Sequence, residues 1–139
     1  MKADSIEIFD HDTDVDIAHK INTLELNNWI SHLTYIETEL ANLIGVYREK
    51  LKGKLKTNSV LSRLLKKQTE NKNLLVALNK YASVRFKIAE CESMQCNMVY
   101  ITEHESYRRS YLYHLDKYRR LKDEFFNKVQ GTFTLLKVN

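Results

Sequence analysis

LNNWISHLTYIETELANLIGVYREKLK, running from Leu26 to Lys52, decides the fold. It contains no proline and one glycine, Gly45. Leu26, Ile30, Leu33, Leu40, Ile44, Tyr47 and Leu51 recur at helical steps, with Trp29, Ile36 and Leu43 beside them. That spacing predicts a helix with one broad apolar side. Such a face is unstable in water, so the rest of the chain or a second copy must cover it.

Working outward from this run, the composition points the same way. The chain has 139 residues, one domain's worth, with 29% charged and 43% hydrophobic residues. It is too apolar for a fully disordered protein. Proline is absent and only three glycines occur, whereas sheet folds need frequent turn residues. The expected fold is therefore all-α: an elongated three-helix bundle, or coiled-coil hairpin, of long antiparallel helices. No stretch approaches the roughly 20 consecutive apolar residues of a membrane span. The N-terminus leads into acids rather than an apolar signal core, so secretion is not expected.

Along the chain, residues 1–13 read as a flexible acidic tail. The run Asp10-His11-Asp12-Thr13-Asp14-Val15-Asp16 has a superficial likeness to a calcium loop. Val15 and Ile21 stand where such a loop needs glycine and glutamate, so it is read as a helix start capped by Thr13 or Asp14. A first helix is expected over 14–52, ended by Gly53 among Lys50, Lys52 and Lys54. A second is expected from residue 59 to 98, its apolar seam interrupted by Gln68 and Asn71. If buried, these two would set register.

Thr102-Glu103-His104-Glu105 fits a capping box, which places a break before Thr102 and a third helix over 102–130. Without that break, one rod of about 70 residues would need a second chain to cover it. Residues 131–139, beginning at Gly131, are expected to form a C-terminal tail. Cys91 and Cys96 would stand about 140° apart on a helix, too far to bridge. That argument favours free thiols and a reducing, cytoplasmic location.

Acids dominate before Gly53 and bases after it, for a net charge of +4. An acidic first helix would attract the basic remainder within the fold or across subunits. The segment from Tyr107 to Arg120 repeats Tyr-Arg-Arg at an interval of eleven residues. At about 100° per residue, Tyr107, Tyr111, His114, Tyr118, Leu121, Phe125 and Val129 share one face, and Arg109 and Arg120 point away from it.

The first functional expectation is a non-enzymatic assembly or adaptor module. It would self-associate as a homodimer and bind a protein partner through Trp29, Leu33, Ile36, Leu40, Leu43, Tyr47, Tyr111, Tyr118 and Phe125. The second is nucleic-acid or anionic-surface binding through Arg109, Tyr113, Lys117 and Arg120. No cofactor or metal is expected. Glu-x-x-His motifs and glycine-rich phosphate loops are missing from the sequence, and the five histidines are scattered without paired spacing.

Overall fold

The computed structural model describes residues 6–51 and 59–138, with side chains over 6–50 and 59–130. Three long helices make up the fold: α1 (Asp14–Val46), α2 (Ser59–Val84) and α3 (Met94–Val138). Among the described residues there is no strand, so the chain is an all-α helical bundle. No helix among them is long and apolar enough to cross a membrane.

The start of α1 is a reciprocal cap. Thr13 Oγ1 accepts the Asp16 N–H, and Asp16 Oδ2 accepts the Thr13 N–H. Residues 7–12, within the expected tail over 1–13, contact α1 through Lys20. Lys20 Nζ donates to the Glu7 carbonyl and to Asp12 Oδ2, both at 2.7 Å, and sits 4.5 Å over the Phe9 ring. The Lys20 bond holds the Asp12 carboxyl below its ordinary pKa. Residues 1–5 lie outside the described residues.

α1 closes in one widened turn, Tyr47–Leu51, rather than running as regular helix to residue 52. The expected cap at Gly53 lies outside the described residues.

The second helix does break, but earlier than the Thr102 box predicts. α2 ends at Val84, a tighter 3₁₀ turn covers Arg85–Glu90, and α3 is under way at Met94. Arg85 explains the position. It is buried, and Nη2 donates to the His19 carbonyl (2.9 Å) and Thr23 Oγ1 (2.8 Å), while Nη1 donates to the Tyr81 hydroxyl (2.6 Å). The His19 carbonyl and the Thr23 hydroxyl of α1 thus hold the chain where α2 stops.

The cap actually used is Ser93, whose Oγ accepts the Cys96 N–H at 3.1 Å. Replacing Ser93 with alanine is expected to lower stability by about 1 kcal/mol, read as a shift in the urea midpoint. Thr102 lies inside α3. Nor does the helix stop at Gly131; its backbone continues to Val138, since a single glycine costs a helix only about 1 kcal/mol.

Cys91 and Cys96 form a disulfide, with Cα atoms 5.5 Å apart. The expectation of free thiols assumed that both lie on one helix. Instead Cys91 ends the 3₁₀ turn and Cys96 lies in the first turn of α3, and the intervening bend brings them together. The argument for a reducing, cytoplasmic location loses its support with the bridge.

The chain packs as two compact units. The first takes the described residues up to Thr34 together with Leu74–Tyr111; the second takes Tyr35–Asn73 and the chain from Leu112 onward. In the first unit, His19 meets Asn97, Glu25 meets His104 and His32 meets Tyr111, a nearly constant offset of 78–79 residues, so α1 and α3 run parallel there. The Arg85 contacts to His19 and Thr23 show α2 returning antiparallel to them. In the second unit Asn71 meets His114 and Arg63 meets Glu124, again an antiparallel pairing of α2 with α3.

Candidate functional site

Trp29, Leu33, Ile36, Leu40, Leu43, Tyr47, Tyr111, Tyr118 and Phe125 are all buried within the single chain, none more than 7% exposed. Trp29, Leu33 and Tyr111 belong to the core of the first unit, and Ile36, Leu40, Leu43, Tyr47, Tyr118 and Phe125 to the core of the second. The tyrosine stripe of α3 behaves likewise. His114, Leu121 and Val129 are buried with Tyr111, Tyr118 and Phe125, as the helical spacing predicts.

The acidic first helix meets bases within the chain. In the first unit, Glu25 accepts both Arg108 Nε (2.9 Å) and Nη2 (2.6 Å). In the second, both Glu39 oxygens accept Lys122 Nζ at 2.9 Å, and Tyr118 also donates to Glu39. The Arg108 bond holds the Glu25 carboxyl below its ordinary pKa.

The first unit contains a buried polar chain that sequence reasoning missed. Arg85 can only donate, so the Tyr81 hydroxyl accepts from it and passes its own proton toward His104 Nδ1 at 2.8 Å. His104 Nε2 then donates to Glu25 Oε1 at 2.9 Å. Burial pushes the His104 pKa down, against the opposing pull of Glu25. Tyrosine, histidine and carboxylate in line suggest proton transfer, but the geometry is closed. His104 is fully buried, both ring nitrogens are engaged, and Trp29 stacks on it at 4.8 Å. The chain acts as an internal bolt. In a single sequence, only its long-range partners could have distinguished His104 from the other histidines.

The second unit offers an open site. A cleft of about 360 Å³ lies between α2 and α3, walled by Arg63, Lys66 and Lys67 from one helix and by Tyr113, Lys117 and Arg120 from the other. Glu70, Glu124 and Leu121 complete it, so five cations face two carboxylates. Three of the four residues expected to bind a polyanion are brought together here. Arg109 is exposed but belongs to the first unit and takes no part. The α2 contribution had a legible signal: Arg63, Lys66 and Lys67 stand at i, i+3 and i+4, one face of a helix.

No family model matches this chain, and no curated protein or solved structure matches it either. The cleft must be read from its own chemistry.

Its charges are unequally engaged. Arg63 grips Glu124 with two bonds (2.7 and 2.5 Å), which hold the Glu124 carboxyl below its ordinary pKa. Lys67 pairs with Glu70 at 2.8 Å, with the same effect on Glu70. Arg120 meets Asp116 at 3.2 Å on the open surface, where an ion pair contributes little. Lys66 and Lys117 hold no ion pair among the described residues. Lys117 Nζ lies 5.2 Å over the Tyr113 ring, and Tyr113 is 67% exposed. Exposed cations beside an exposed aromatic face suit phosphate and a stacked base.

Proposed function

We propose that the second unit binds single-stranded nucleic acid through this cleft, as a non-enzymatic binding module. The observation that carries the reading is the convergence of Arg63, Lys66 and Lys67 with Lys117 and Arg120 around one opening that also presents Tyr113. Lys66, Lys117 and Arg120 take phosphate oxygens, since among the described residues the two lysines hold no ion pair and Arg120 only a surface one. Tyr113 supplies a ring on which a base stacks without regard to sequence. This reading is preferred over assembly through the apolar seam because that seam is already buried.

The test is fluorescence anisotropy of a labelled oligothymidylate at about 0.05 M and 0.2 M salt, two conditions that differ strongly in screening. Lys66→Glu combined with Lys117→Glu is expected to weaken binding at least tenfold. The salt slope should flatten by about 1.4 on a logarithmic plot, the share of two phosphate contacts on a single strand. Tyr113→Ala should cost about 1–3 kcal/mol while leaving the salt slope unchanged. Full affinity in the double variant, or no binding by the unaltered chain at the lower salt, would show that the cleft serves another purpose.

A further inference from the structure

The two sulfurs of the Cys91–Cys96 bridge occupy different surroundings. Cys91 lies in extended backbone just after the 3₁₀ turn and forms part of the wall of a cleft of about 680 Å³ in the first unit. Asp12 and, from α1, Asp16, His19 and Lys20 line the same cleft, with Lys20 paired to Asp12. Cys96 is absent from that wall and lies in the first turn of α3, where Ser93 caps its backbone N–H. Both cysteines are part-exposed, so the bridge is not sealed in the core.

This asymmetry decides how the bridge breaks. Exchange requires a thiolate to reach one sulfur and the other to leave, and the sulfur of lower pKa leaves faster. A thiol in the first turn of a helix is acidified by the amide dipoles of that end. Cys91, by contrast, lines the open cleft, which offers an approach to its side of the bridge.

We propose that Cys91 and Cys96 form a reversible dithiol–disulfide pair, a redox modification site in which Cys91 is the sulfur attacked and Cys96 the leaving group. A thiolate of an external dithiol reductant forms a bond to Cys91 Sγ. The Cys91–Cys96 bond breaks, and its electron pair stays on Cys96 Sγ. The reductant's second thiol, deprotonated, then attacks its own sulfur in the mixed disulfide and releases Cys91 as a thiolate. The protein has gained two electrons and the reductant has become a disulfide. Water returns protons to the released thiolates as their pKa values require.

The oxidised form ties the end of the 3₁₀ turn to the start of α3. In doing so it brackets Ser93, which caps that helix, and Asn97 follows directly, with Oδ1 bonded to His19 Nε2 at 2.8 Å. Reduction therefore releases the tie between the end of the 3₁₀ turn and the start of α3.

The test uses the full chain in glutathione buffers ranging from oxidising to reducing. Samples are quenched with acid, alkylated, and measured by intact mass and fragmentation. Complete, reversible conversion is expected, with the transient glutathione adduct on Cys91. In a companion measurement, the thiol left in Cys91→Ser should react with iodoacetamide at pH 6 about tenfold faster than the thiol left in Cys96→Ser, given the acidity of a helix N-terminal cysteine. A bridge that fails to form in oxidising buffer, an adduct on Cys96, or equal alkylation rates would each overturn the assignment. Adduct mapping is done on the unaltered chain, so it stands even if a serine variant folds poorly.

Discussion

Trp29→Ala is expected to destabilise the folded chain by about 3–5 kcal/mol, the cost of emptying a large aromatic site in a packed core. Trp29 is 4% exposed and stacks on His104 at 4.8 Å and on Tyr111 at 5.3 Å. The loss therefore combines buried area with two ring contacts, each worth roughly 0.5–1.5 kcal/mol beyond area. Against a total stability of about 5–15 kcal/mol for a typical domain, the variant should unfold at much lower urea. The same measurement separates a core from an interface. If Trp29 is core, both midpoints stay constant as protein concentration is varied over two orders of magnitude. If it lies between subunits, the midpoints rise with concentration by mass action. A concentration-dependent midpoint would restore the apolar seam as a self-association surface.

Much of the fold was legible because helical periodicity is local information. The stripe from Leu26 to Tyr47, apart from the half-buried Ile30, and that from Tyr111 to Val129 are buried as their spacing requires. Asn71 is fully buried and accepts from His114 Nε2 at 2.8 Å, whereas Gln68 is half-buried, so only Asn71 meets the condition set for a polar seam residue. What could not be read locally is where the helix breaks. Thr102-Glu103-His104-Glu105 has the better capping pattern, yet His104 must stay in helix to reach Tyr81 and Glu25. Ser93-Met94-Gln95-Cys96 lacks the acidic partner of a capping box, and Arg85 stops α2 through contacts some 60 residues away in sequence. The bridge was missed for the same reason, since a helical spacing was assumed across a bend. The cleft was half legible: its α3 wall was read from the arginine and tyrosine pattern, but only the packing of α2 against α3 completes it.

Acid should destabilise the chain well before its carboxylates protonate, and His114 is the reason. Its ring is 6% exposed, with Nε2 bonded to Asn71 Oδ1. Burial first and the nearby Lys67 charge second push its pKa from 6.5 down to about 4, with Glu70 pulling weakly the other way. The folded state therefore binds this proton only near pH 4, whereas the unfolded chain binds it near 6.5. Below 6.5 protonation favours the unfolded state, so the stability present above that pH is lost progressively down to about 4 and no further from this group. The full displacement corresponds to roughly 3 kcal/mol. His104, also pushed down by burial, adds loss of the same sign. The carboxyls of Glu25, Glu70 and Glu124 are held below 4.5 by Arg108, Lys67 and Arg63, and their contributions fade only at lower pH. The interval from 6.5 to about 5.5 thus isolates the histidines, and below it comparison with a His114 variant cancels the carboxylates' share. His114→Gln replaces the ring with an amide that can still donate to Asn71 but does not titrate. Urea midpoints at pH 7.5, 6.5, 5.5 and 4.5 should fall steeply for the unaltered chain and less steeply for the variant, the gap widening toward acid by roughly 2–3 kcal/mol. Parallel curves would mean that His114 protonates as readily folded as unfolded, and the Asn71 contact would then not require a neutral ring.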